Sequence, residues 1–127
     1  MTQNGNETYG KIHISEEVLA VIAGIAANEI DGIASMNGGW TGEITEIFGM
    51  KKLNKGVQIS IDEVENKINV DLYVVMKYGI RIGDTSIEIQ KHVKSVLESM
   101  TNMFVDFVNV HVQGIKMVDS SEINVVK

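Results

Sequence analysis

Three stretches of this chain alternate apolar and polar residues with period two: 57–61, 67–78 and 108–117. In the first, Val57, Ile59 and Ile61 share one face; in the second, Ile68, Val70, Leu72 and Val74 do. In the third, Val108, Val110 and Val112 oppose Asn109, His111 and Gln113. Period two is the signature of a strand with one buried and one wet face. A sheet covered by helices on both sides requires strands that are apolar throughout. The pattern therefore restricts the helices to one face and predicts a two-layer α+β architecture. The polar residues 62–66 between the first two stretches predict a hairpin turn.

The remaining elements follow from helical spacing and punctuation. Residues 9–14 also alternate, with Ile12 and Ile14 against Lys11 and His13, and predict a leading strand. Ser15 is a helix N-cap, and Glu16 and Glu17 put negative charge where the helix dipole favours it. The helix is expected to run to about Ile30, with Val18, Leu19, Val21, Ile22, Ala23, Ile25, Ala26 and Ile30 as a wide inward arc. Ala20, Gly24 and Ala27 then fall on the opposite side, read as a thinly solvated outer face, with close packing as the alternative. Asp31-Gly32 ends the helix and 33–36 form a short strand. Thr85 and Glu88 have capping-box spacing, and Ile89, Val93, Val96, Leu97 and Met100 line one face of a second helix. Residues 37–56 form a long connection with a short helix at about 42–48. The expected order is β-α-β-(loop)-β-β-α-β, two helices packed on one face of a small mixed sheet. Residues 9–118 make one domain, and 1–8 and 119–127 are loose termini.

Composition narrows the chemistry. The 127 residues contain no cysteine, which excludes disulfides, thiolate metal sites and cysteine nucleophiles, and fits a cytoplasmic location. There is no proline, so turns fall to the 12 glycines and to Asn and Asp. The polar start carries no signal peptide, and no apolar run approaches the ~18 residues that span a bilayer. Net charge is −6, and residues 1–56 carry 4 lysines against 7 acids while 57–127 carry 7 basic against 10 acidic residues. Neither part is basic, which disfavours nucleic acid as a partner.

No catalytic constellation emerges. His13, His92 and His111 have no ligand spacing, so no metal is expected; His13 and His111 could meet on the polar sheet face only if their strands were neighbours. No nucleophile elbow surrounds any serine. Asp62, Asp71 and Tyr73 belong to the polar sheet face. The run Gly38-Gly39-Trp40-Thr41-Gly42 lacks the endings of phosphate or dinucleotide loops. No cofactor is implied. The best contact candidate is the segment with Trp40, Ile44, Ile47 and Phe48 followed by Lys51, Lys52 and Lys55, apolar groups beside local positive charge. The other reading of Trp40, Ile47 and Phe48 is that they close the end of the core. The polar sheet face, with Lys11, His13, Gln58, Asn69, Tyr73 and Gln113, is the second candidate.

The runs YGKIHISEEVLAVIAGIAANEIDGIASM, FGMKKLNKGVQISI, VDLYVVMKYGIRI and VNVHVQGIKM, in that order, resemble the alkaline-shock-protein family, the Gls-type general stress family of Gram-positive bacteria. The resemblance covers about residues 9–118. It implies a small cytoplasmic, non-enzymatic protein tied to alkaline or cell-envelope stress, in some members recruited to the membrane by an anchored relative. Short members without long charged extensions are similar to those whose genes lie near fatty-acid synthesis functions. The family brings no catalytic residues. The expectation is thus a non-catalytic protein acting by protein–protein interaction or self-association, linked to envelope stress or to regulation of lipid synthesis, without membrane insertion. The alternative is binding of, or catalysis on, an acyl or anionic metabolite. A weaker third reading is RNA binding through Lys51, Lys52 and Lys55.

Overall fold

The computed structural model describes residues 9–36 and 56–117. Its elements are α1 (Glu16–Asn28), β1 (Ile33–Met36), β2 (Val57–Asp62), β3 (Lys67–Lys77), α2 (Ile82–Thr101) and β4 (Phe104–Lys116). β3 is the axis of the sheet. β2 pairs with its first half and β1 with its second half, both antiparallel and on the same flank. β4 runs parallel to β3 along the whole of the other flank. The sheet is therefore mixed, as the alternation and the intervening helix require, and the α+β class holds.

The inward set is the one that period two selects. Ile68, Val70, Leu72, Val74 and Met76 on β3 are fully buried. They form one cluster with Leu19 and Ala23 of α1 and with Ile89, Val93 and Leu97 of α2. The helices pack on each other, α1 also against β2 and α2 also against β4. Ser15 caps α1 as expected, its Oγ accepting from the Val18 N–H at 3.2 Å.

Five expectations are corrected. Residues 9–14 form no strand: Gly10 sits at φ +119, Ile12 is 60% exposed and only Ile14 packs on the core. Two apolar positions beside a left-handed glycine do not bury enough to hold a strand. Second, Ala20, Gly24 and Ala27 are buried, and Val18 is the exposed residue. The small side chains let α1 lie close to α2 and β2, so close packing, the alternative reading of that face, is correct. Third, α1 stops at Asn28, and Gly32, at φ +107, serves the turn into β1. Fourth, α2 begins at Ile82 with Arg81 as N-cap. Thr85 is inside the helix and buried, so Thr85 and Glu88 make no capping box. Asp84 supplies the first-turn negative charge and accepts from the Arg81 guanidinium at 2.9 Å. Fifth, β4 starts at Phe104, and Met100 is 63% exposed rather than inward. The short helix at about 42–48 lies outside the described residues.

The outer edge of β4 is closed at its beginning by α2. Glu98 Oε2 accepts from the Val105 N–H at 2.9 Å, Lys94 Nζ donates to the Val105 carbonyl at 3.0 Å, and Gln90 Nε2 donates to the Val108 carbonyl at 2.9 Å. The three side chains recur every four residues, so one helix face serves backbone groups that a strand edge otherwise leaves open.

Gly32 ties the two helices' ends together. A Cβ at this position would lie 3.3 Å from Thr85 Cγ2 and 3.4 Å from Ile80 Cδ1. Gly32→Ala combines that crowding with a left-handed backbone and is expected to cost about 1–3 kcal/mol. Thermal melting checks it, with a fall of roughly 4–12 °C for a chain this size.

Candidate interaction surface

No described helix covers the far side of the sheet. Period two turns Gln58 and Ser60 of β2, Asn69, Asp71, Tyr73 and Val75 of β3, and Phe107, Asn109 and His111 of β4 to this side. At its centre the Asp71 carboxylate accepts from Asn109 Nδ2 at 3.1 Å and meets His111 Nε2 at 2.9 Å. The His111 ring stacks on Tyr73, with centroids 4.6 Å apart and planes 12° from parallel. The parallel register explains the cluster, since it sets Asp71 beside Asn109 and Tyr73 beside His111. Cross-strand pairs of this kind contribute about 0.2–1 kcal/mol each, so the cluster fixes side-chain orientation more than it stabilises the fold.

The apolar members lie toward one end. Phe104 pairs with Lys67 and Phe107 with Asn69. They are 65% and 60% exposed, respectively. The register shift between Ile68 and Asn69 leaves Asp106 without a partner on β3 and puts both phenylalanines on the outer face. Near them the Asn69 Oδ1 atom is buried without a hydrogen-bond partner among the described residues.

The sequence-derived sites fare unequally. Gln58, Asn69 and Tyr73 do share the outer face, and with Gly56, Val57 and Gln113 some of them line a shallow depression of about 390 Å³. Lys11 and His13 do not join it: both are exposed in the coil before α1, so His13 and His111 are not strand neighbours. Trp40, Ile44, Ile47, Phe48, Lys51, Lys52 and Lys55 lie outside the described residues. His92 meets Glu29 at 2.7 Å, joining α2 to the end of α1. Phe104, Phe107 and the Asp71–His111 pair were missed. Alternation gives the face of each strand but not its neighbour, and the extra residue Asp106 breaks the period just where the phenylalanines fall.

Among the described residues no group of three or more His, Cys, Asp or Glu could hold a metal ion. No described helix is long and apolar enough to cross a membrane.

Comparison with known proteins places this architecture. The family of alkaline shock protein 23, of Gls24 type and described as having a cell envelope-related function, matches residues 4–117. The chain is 36% identical over 107 residues to YqhY of Bacillus subtilis (strain 168), covering 84% of this chain and 78% of that protein. It is 37% identical over 120 residues to Spy1614 of Streptococcus pyogenes serotype M6, covering 93% and 98%. A more distant relative is a stress response regulator gls24 homolog of Streptococcus pyogenes serotype M3, 25% identical over 114 residues and covering 89% and 63%. The family match, which takes in both described helices and all four described strands, and the relatives of 36% and 37% identity show that the chain belongs to the alkaline-shock-protein family of cell envelope-related proteins.

Proposed function

We propose that this chain acts in the cytoplasm without catalysis, by protein–protein contact through the outer face of its sheet, in the cell's response to envelope stress or in the regulation of fatty-acid synthesis. The observation that carries the reading is the exposure of Phe104 and Phe107 beside the polar Asp71–His111–Tyr73 cluster. Large apolar groups held rigid by strand pairing and rimmed by polar ones are the usual makings of a contact surface. The segment carrying Trp40, Ile44, Ile47, Phe48, Lys51, Lys52 and Lys55 is a second proposed contact region, and recruitment to membranes would then run through an anchored partner. The metabolite reading finds less support: the described depression on this face is open, with polar and apolar groups mixed along it, rather than enclosed and apolar.

A deletion strain complemented in its own cell tests the proposal. Wild type is expected to restore survival of envelope stress or normal incorporation of labelled acetate into fatty acids. A folded Phe104→Ser/Phe107→Ser protein is expected to fail. Full complementation by that double variant would remove the outer face from the mechanism. The same assay on Trp40→Ala and on Lys51→Glu/Lys52→Glu/Lys55→Glu weighs the second region.

A further inference from the structure

The two long edges of the sheet are treated differently. α2 closes the start of the β4 edge with Gln90, Lys94 and Glu98. The β2 edge has no such cover among the described residues. Gly56 O accepts from the Tyr73 N–H at 2.8 Å, and antiparallel ladders alternate bonded and non-bonded pairs. Gln58 and Ser60 therefore carry the ladder bonds to Asp71 and Asn69. Val57, Ile59 and Ile61 turn their N–H and C=O groups away from β3, and no hydrogen bond from another described residue reaches them. Beside this edge runs a groove of about 470 Å³. Glu16 and Glu17 stand at the start of α1, Ala20 is its small-residue wall, and Asp71 lies beyond Gln58. Three carboxylates and, among the described residues, no basic side chain line the groove.

We infer that the β2 edge and this acidic groove form a docking site for an extended segment of a partner protein, added as a further strand and carrying lysine or arginine at alternate positions. The backbone supplies the pairing: three residues whose N–H and C=O groups no other described residue takes up accept a strand of about six residues. The carboxylates supply the selection, because a cationic side chain on the helix side of the added strand meets Glu16 and Glu17. An acidic segment meets the same charges and the chain's net −6 as repulsion. The inference rests on the reading of this protein as an interaction protein. Gln58, Ser60 and Asp71 border both the groove and the outer sheet face, but the pairing groups of Val57, Ile59 and Ile61 and the carboxylates of Glu16 and Glu17 are separate from Phe104 and Phe107, so either can fail alone.

The test uses the full chain and a labelled hexapeptide, Lys-Val-Lys-Val-Lys-Val. Fluorescence polarisation measures affinity, and amide resonances of the ¹⁵N-labelled protein locate the peptide. The expected result is binding with shifts centred on Val57, Ile59 and Ile61. Methylating alternate peptide nitrogens, which leaves the protein untouched, is expected to weaken binding at least ~tenfold by removing backbone donors. Glu16→Gln/Glu17→Gln is expected to weaken it by about threefold or more and to reduce its salt dependence. A Glu-Val-Glu-Val-Glu-Val peptide is expected not to bind. Equal binding of the methylated peptide, shifts elsewhere, or no binding would overturn the proposal. So would slow hydrogen exchange at Val57, Ile59 and Ile61 in the peptide-free protein, or a dimer built on this edge, since either means the edge is already paired. Failure here leaves the complementation result with Phe104→Ser/Phe107→Ser unaffected.

Discussion

Leu72→Ala is expected to lower the unfolding free energy by about 2–5 kcal/mol. Leu72 lies near the middle of the central strand and is fully buried. Val57 on β2 and Val110 on β4 flank it in the ladder, and helix side chains close over it. Strands on both sides hold the backbone in place, so little collapse into the vacated space is open. The residual cavity adds about 24 cal/mol per Å³ to the lost transfer energy. Against a total stability of about 5–15 kcal/mol this is a large fraction of the whole. Denaturant unfolding measures it, with the midpoint falling and the slope unchanged. The companion Tyr73→Ala, one residue along and on the outer face, is expected to lose only about 1 kcal/mol or less, the worth of its stack on His111. A reversal of the two magnitudes would mean that the register assigns the wrong face to the core.

The second large effect comes from adding atoms. Ala23→Leu is expected to destabilise by about 1–3 kcal/mol through overpacking. Ala23 is fully buried on the side of α1 that includes Ala20, Gly24 and Ala27. Leucine is nearly as good a helix former as alanine, so on a solvated face the substitution would cost a few tenths of a kcal/mol at most. The size of the loss thus reads directly whether α1 approaches its neighbours through its small residues. Val18→Ala on the exposed side serves as the control and is expected to change the melting temperature little.

These small residues also mark where the sequence was legible. Strands β2 and β3 and the buried face of α2 could be read directly, because alternation and helical spacing report burial when one face is wet. α1 could not be read so. It is apolar nearly all round, and on such a helix hydrophobicity no longer distinguishes inside from outside; distance of approach does, and it selects alanine and glycine over valine and isoleucine. The leading strand failed for the opposite reason, since residues 9–14 have the period but no ladder. The capping box at Thr85 and Glu88 failed because a buried threonine and an exposed glutamate reproduce its spacing without its geometry. The outer face was readable as polar, and its cluster was not. Asn109 and His111 lie 38 and 40 residues beyond Asp71, and only the parallel register joins them.

The position of β4 has a consequence for the order in which the protein can be completed. The strand that covers one whole flank of β3 is the last described element to be synthesised. The β2–β3 hairpin closes over a short turn, yet the other flank of β3 cannot be fully covered until Lys116, 39 residues after Lys77, has been made. At about 5–20 residues per second that interval is roughly 2–8 s. Until β4 has paired along it, the most apolar of the described strands presents an open edge to its surroundings. Nascent chains therefore pass through a window in which β3 can be captured by another strand. α2 is complete before β4 is made, and its Gln90, Lys94 and Glu98 are then in place to receive the start of that strand.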